Sequence, residues 1–170
     1  MNGDKANFFD EKKLSEMIAT FFYVGKFPKA PGTAGTLATI PLWYLLATYF
    51  HVVWYMVIVF IILLAGIYIC QMYEVHFQNH DAKEIVIDEV VGFLITMTWL
   101  PITWQSCVLG FALFRIFDIL KPPPIRQLDQ KVKGGVGVMI DDVAAGIAAN
   151  VILQLIYTNT TWLGVQVITT

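Results

Sequence analysis

Polar and apolar positions are strongly segregated along this chain. No Asp, Glu, Lys or Arg occurs at residues 30–73, 90–114 or 143–170, and every charged residue falls between or before those three blocks. A membrane-crossing helix needs roughly 20 apolar residues, so the first block has room for two. Its break is expected near residues 50–53, where His51 is the most polar position. The first span then covers about 36–49, is short and contains Pro41, and the second covers about 53–73. In the second block, Pro101 and the polar cluster at 98–105, flanked by Trp99 and Trp104, predict a turn at the membrane interface. Helices of about 88–100 and 103–120 follow, the first too short to cross alone. The last block predicts a span over about 143–157 and a β-branched polar tail on the far side.

Before these blocks, Leu14, Met17, Ile18, Phe21 and Phe22 follow helical spacing between residues 10 and 26, with Lys12, Lys13 and Glu16 off the stripe. Residues 1–9 read as a loose terminus. The 10–26 segment fits an amphipathic helix in the interface. It fits equally a helix packed on the ends of the spans. The polar, mixed-charge start predicts no cleavable signal peptide. The fold class expected is all-α: a polytopic membrane bundle of about five membrane helices, some short, with an N-terminal interfacial helix, forming one domain over 1–170 with residues 1–30 cytosolic or interfacial.

Composition agrees. The chain is 57% hydrophobic and 14% charged, against about 25% charged in ordinary globular domains. A net charge of −2 gives no support for nucleic-acid binding. All 11 Lys and Arg residues fall on one side of the predicted topology, which the positive-inside rule assigns to the cytosol. Cys70 and Cys107 lie in apolar runs and read as small buried hydrophobes.

Three clusters carry candidate chemistry, each at the charged end of an apolar segment. The first is PGTAGT at 31–36, whose Thr33, Gly35 and Thr36 open a helix. Free N–H groups and hydroxyls there suit an anion, and small residues equally suit tight packing in lipid. The second is HDAKEIVIDE at 80–89. Asp88 and Glu89 begin the next helix, and the apolar Ile85-Val86-Ile87 ahead of them implies burial, where a carboxylate is costly without a partner. A role for His80 and Asp81 stays open. The third runs from Arg115 to Asp142: Arg115 and Asp118 share a helix face, Lys121 follows a turn later, and three prolines turn the chain. Arg126, Asp129 and Lys133 fit one face of a short helix, Gly134, Gly135 and Gly137 allow close backbone approach, and Asp141-Asp142 starts the last span.

Carboxylates converging at one depth repel unless a divalent cation neutralises them. His and Cys are not clustered, which disfavours zinc. No phosphohistidine array, Cys-x5-Arg or Asp-x-Asp-x-Thr motif is present. What is left is a carboxylate-bound Mg²⁺ acting on a phosphoryl group.

The stretches PGTAGTLATIPLWY (31–44), HDAKEIVIDEVVG (80–92) and FRIFDILKPPPIRQLDQKVKGGVGVMIDDVAAG (114–146) closely resemble the phosphatidylglycerophosphatase A family. The resemblance implies a bacterial inner-membrane, Mg²⁺-dependent enzyme that hydrolyses phosphatidylglycerol phosphate to phosphatidylglycerol on the cytosolic face. On that reading Asp88, Glu89, Asp141 and Asp142 bind the metal, and Asp118 is a ligand or general base. Arg115, Lys121 and Arg126 clamp the phosphate, helped by Thr33, Gly35 and Thr36. Asp129 pairs with Arg126 or Lys133. Membrane lipids are the surroundings, and nothing signals a protein partner. Two alternatives compete with this reading: a CDP-alcohol phosphotransferase, whose Asp-x-x-Asp-Gly-x-x-Ala-Arg signature is absent, and a small transporter or anionic-lipid scaffold. The charge-free block interiors argue against the transporter.

Overall fold

A computed structural model describes residues 2–78 and 82–164, with side chains from residue 11 onward. His80 and Asp81 lie outside the described residues. The described chain is all-α: α1 (Asn2–Ala19), α2 (Pro31–Tyr49), α3 (Val52–Phe77), α4 (Ile87–Thr96), α5 (Trp104–Leu120), α6 (Ile125–Lys131) and α7 (Gly134–Asn159), with a 3-10 turn at Val24–Lys26.

Length separates the helices. α3 and α7 have 26 residues each and are long and apolar enough to cross a bilayer; at 1.5 Å per residue each runs about 39 Å. α4 has 10 residues, about 15 Å, half of a roughly 30 Å hydrocarbon core. The outward face of α3 carries Trp54, Val57, Phe60, Ile61, Leu64 and Tyr68, all exposed. A continuous apolar face of this kind is covered by lipid or protein in a stable molecule.

α7 is the hub, packing on α3, α4, α5 and α6. It meets α4 at near backbone contact: a Cβ on Gly146 would run into the Gly92 carbonyl, so small residues set the spacing of these two helices. α4 ends at Thr96, and the chain leaves the helix through Trp99 in the left-handed region (φ 59°) and Pro101. The carbonyls freed there lie beside the buried Thr96 and Met97 and need donors. α7 supplies them. Asn150 Nδ2 donates to Thr96 O and Thr98 O, both at 2.8 Å, and Gln154 Nε2 donates to Thr98 O at 3.0 Å. From α3, the Tyr55 hydroxyl donates to Leu94 O at 2.6 Å.

The turns at 50–51 and 101–103 fall where the sequence placed them. His51 accepts from Val53 N and Thr103 accepts from Ser106 N, each capping the helix that follows. Beyond α7, Leu163 is buried, and Thr103 Oγ1 donates to its carbonyl at 2.8 Å, tying the tail to the 101–103 turn.

Three expectations need correcting. α7 begins at Gly134, not near residue 143, so Asp141 and Asp142 lie two turns inside the helix and are buried. The cause is the glycine run: a Cβ on Gly135 would strike Ile67 O of α3, and Gly135 N donates to Gln71 Oε1 at 3.0 Å. The glycines admit a neighbouring helix, and Asp141-Asp142 does not start the last span. Lys133 is the N-cap of α7 rather than a member of α6. Finally, α1 extends back to Asn2 and packs on α3, with Ser15 Oγ 3.3 Å from His76 Nδ1 and Lys12 Nζ 4.5 Å from the Phe77 ring centre.

Candidate active site

Asp88 and Glu89 stand in the first turn of α4, after a buried Ile85-Val86-Ile87 segment whose Val86 N donates to Ala19 O at 2.9 Å. Asp142 arrives from α7. Ligand oxygens of these three carboxylates lie within 4.8 Å of one another, the only such group among the described residues. Asp88 Oδ1 accepts from Glu89 N at 3.0 Å, which fixes its carboxylate at the helix start, where the macrodipole favours negative charge.

α5 adds the counter-charge. Arg115 Nη1 is 2.5 Å from Asp118 Oδ2 and 3.6 Å from Glu89 Oε1. Both contacts are ion pairs off hydrogen-bond geometry: Arg115 Nη1, Arg115 Nε and Glu89 Oε2 are all buried without a hydrogen-bond partner. Asp118 adjoins Asp142. Four carboxyl groups thus gather beside one guanidinium, which pairs with Glu89 and Asp118 only, so acidic groups outnumber the basic one by three.

That imbalance tests the fit to a metal. The donors are all carboxylate oxygen, the set hard cations prefer. One of those oxygens, Glu89 Oε2, is buried and unsatisfied, a costly state without a ligand. No His or Cys belongs to the group. Its residues could hold a metal ion, and they lack the His and Cys ligands that zinc sites usually carry.

α2 completes the wall. Gly32 is buried, and a Cβ there would overlap Glu89 Oε1 and come 3.0 Å from Arg115 Nη1. The helix start has no side-chain cap, which leaves first-turn N–H groups available. Beside this centre, Lys121 Nζ donates to Asp129 Oδ1 and Asp141 Oδ2, each at 2.7 Å. Burial pulls the Lys121 pKa down, but the hydrogen bonds and charges of Asp129 and Asp141 outweigh it and raise the pKa above its ordinary value.

The family model for phosphatidylglycerophosphatase A matches residues 17–157, a stretch that encloses every residue just named. The chain belongs to the phosphatidylglycerophosphatase A family. It is 42% identical to the phosphatidylglycerophosphatase A of Escherichia coli (strain K12) over 141 residues, 82% of this chain and 81% of the relative. The Haemophilus influenzae phosphatidylglycerophosphatase A is 41% identical over 84% of this chain and 91% of its own. A Bacteroides thetaiotaomicron protein named "Putative phosphatidylinositol-3-phosphatase" is 38% identical over 84% of this chain and 92% of its own. No solved structure matches the chain.

Of the residues singled out in the sequence, the fold brings Asp88, Glu89, Asp118, Asp142 and Arg115 together. Asp141 faces Lys121 instead of the three-carboxylate group, and its Oδ1 is buried without a hydrogen-bond partner. Asp129 pairs with Lys121, not with Arg126 or Lys133. Arg126 is exposed on α6. Gly35 packs on Val86, and the buried Thr36 hydroxyl donates to Gly32 O at 2.8 Å, while Thr33 is half-buried. Gly32 is the contributor the sequence reading passed over. Its signal was present: a glycine directly after the proline that opens α2, in the motif already suspected of approaching a ligand.

Two apolar clefts lie on the opposite half of the molecule. One, of about 310 Å³, is lined by Tyr55, Met97, Trp99 and Tyr157. The other, of about 300 Å³, is lined by Phe60, Ile95, Trp99 and Asn150. Neither touches the carboxylates.

Proposed function

We propose that the chain hydrolyses the phosphomonoester of phosphatidylglycerol phosphate, giving phosphatidylglycerol and phosphate, at the carboxylate group formed by α4, α5 and α7. Phosphatidylglycerophosphatase activity in phospholipid biosynthesis, a phosphoric monoester hydrolysis, follows from family membership and from the two relatives of that name. The observation that supports this location is the set of carboxylate oxygens within 4.8 Å from Asp88, Glu89 and Asp142, facing a single arginine.

Asp88, Glu89 and Asp142 would hold Mg²⁺, with Asp118 as a further ligand or the general base and Asp141 in support. When bound, the ion supplies Lewis-acid polarisation of a phosphoryl oxygen and lowers the pKa of a water. Arg115 is held by ion pairs to Asp118 and Glu89 while its buried Nε and Nη1 make no hydrogen bond, so its guanidinium would turn to grip the phosphate oxygens. The uncapped start of α2 adds the backbone N–H groups of Gly32 and Thr33 and the helix dipole; Gly35 and Thr36 lie beyond Ala34, whose N–H is already bonded to Ala30 O, and shape the wall instead. Two of the three ammonium N–H groups of Lys121 are engaged by Asp129 and Asp141, which leaves one for the phosphate. Arg126 is the outermost cation. In the reaction a water oxygen bonds to phosphorus, the bond from phosphorus to the glycerol oxygen breaks, and that oxygen leaves with a proton. As general base, Asp118, beside Asp142 and anchored by Arg115, would take the proton from the water.

The same reading places about five helices in the bacterial inner membrane, with α2 and α5 joining α3 and α7 and the short α4 reaching partway. The carboxylates then lie toward the cytosolic face. Asp88→Asn and Asp142→Asn test the assignment: each is expected to lose Mg²⁺-dependent phosphate release. Full retention in either would remove that residue from the site.

A further inference from the structure

The turn joining α1 to α2 carries an exposed surface that catalysis does not use. Phe22, Tyr23 and Phe27 are 67%, 48% and 59% exposed, and Lys26, Pro28 and Lys29 beside them are exposed as well. Aromatic side chains next to lysines suit the boundary between headgroups and acyl chains.

Nothing about this turn is loose. Phe21, Phe22 and Tyr23 take left-handed backbone angles in succession, with φ of 45°, 57° and 68°, a conformation that bulky residues adopt only when held. The hold is visible. Phe22 N donates to Met17 O at 2.7 Å, Gly25 N to Thr20 O at 2.9 Å, and Tyr23 N to the hydroxyl of the fully buried Thr20 at 3.1 Å. A Cβ on Gly25 would strike Glu84 O, so the turn is docked on the segment that leads into Asp88. Its other end runs directly into Pro31 and Gly32, against Glu89. Lys26 is paired with Glu16 at 2.5 Å, while Lys29 and, across the turn, Lys83 are exposed and form no ion pair among the described residues.

We propose that residues 22–29 form a rigid interfacial foot, with Phe22, Tyr23 and Phe27 sunk into the headgroup boundary and Lys29 and Lys83 facing anionic phosphates, so that the lipid surface is held level with the carboxylate site. The interfacial element is then this turn rather than the α1 helix, which packs on α3. The inference rests on the membrane reading above and is independent of the catalytic roles.

The test uses full-length protein in vesicles containing phosphatidylglycerol, with Cys107→Ala and a nitroxide on Phe22→Cys, Phe27→Cys or Phe60→Cys; Cys70, 1% exposed, escapes the label. Phe60 lies on the outer face of α3 and reports lipid. At positions 22 and 27 collisions with oxygen are expected to exceed those with a water-soluble nickel chelate, as at 60. Chelate-dominated collisions at 22 and 27 with a lipid reading at 60 would overturn the foot alone and mark this face as open to water or to a soluble partner. Chelate-dominated collisions at all three would overturn the membrane reading, and the foot with it. In the Phe22→Ser/Phe27→Ser double variant, the substrate mole fraction giving half-maximal rate is expected to rise at an unchanged plateau, with rescue by Phe22→Trp/Phe27→Trp. An unchanged half-maximal mole fraction would contradict the role in holding the surface.

Discussion

Gly32→Ala separates site geometry from stability more cleanly than any carboxylate substitution. The added methyl would occupy the space of Glu89 Oε1 and stand 3.0 Å from Arg115 Nη1. Both obstacles are ends of flexible side chains, so the backbone of α2 has no need to move. In helix propensity alone, alanine gains roughly 0.5–1 kcal/mol over glycine, which offsets part of the cost of displacing the carboxylate. Thermal stability is therefore expected to stay within about 4 °C of wild type, the shift that roughly 1 kcal/mol produces at this chain length. Activity has no such cushion. The Glu89 carboxylate must retreat by on the order of 1 Å, a misplacement that costs about 100-fold in rate where geometry controls catalysis. Phosphate release in detergent, read beside a thermal melt, checks both. A variant that melts normally and keeps wild-type activity would refute the claim that Gly32 and Glu89 form one wall of the site.

Other consequences are separately measurable. Lys121→Met leaves Asp129 and a mostly buried Asp141 without their cation and is expected to cost roughly 1–3 kcal/mol, read as a lower melting temperature. The folded-state pKa of Lys121 is raised by those carboxylates, so its contribution is complete below the unfolded lysine value of about 10.4 and fades only as pH climbs past it toward the folded value. The gap in stability between wild type and variant should be flat from about pH 6 to 9 and shrink above about pH 10.5; a gap that closes near neutrality would contradict the pairing. Asn150→Leu removes the side-chain donor to Thr96 O and one of the two to Thr98 O, which keeps Gln154 Nε2, and should cost about 1–2 kcal/mol, read as a lower denaturation midpoint; an unchanged midpoint would contradict the role given to Asn150.

Charge segregation made the helices legible. With no charge between Lys29 and Glu74, two apolar helices had to fit, and the break at His51 followed. The start of α7 was misplaced because Gly134, Gly135 and Gly137 look alike in sequence whether they serve a ligand loop or a helix packed on α3; only the presence of Ile67 O opposite Gly135 decides. The same error put Asp141 and Asp142 at a helix start, although their candidacy as ligands rested on charge and not on that position. Asp88, Glu89, Arg115 and Asp118 were readable because each is a charge at the edge of an apolar run, expensive without a partner. The pairing of Lys121 with Asp129 and Asp141 was not, since it depends on how the Pro122-Pro123-Pro124 turn folds α6 back on α7. Asn150 and Gln154 were overlooked for a related reason. Their role is set by carbonyls that α4 frees by ending at Thr96, and a backbone defect in one helix leaves no mark in the sequence of another.

The central claim is that a divalent cation on Asp88, Glu89 and Asp142 is required to remove the terminal phosphate of phosphatidylglycerol phosphate. Its most direct test is inorganic phosphate release from that lipid by the purified protein in detergent, in Mg²⁺ and after EDTA, for wild type and Asp142→Asn side by side. The account predicts release by the wild type in Mg²⁺, none after EDTA, recovery on adding Mg²⁺ back, and none from Asp142→Asn under any of these conditions. Release that persists in EDTA, or that survives Asp142→Asn at the wild-type rate, would contradict it.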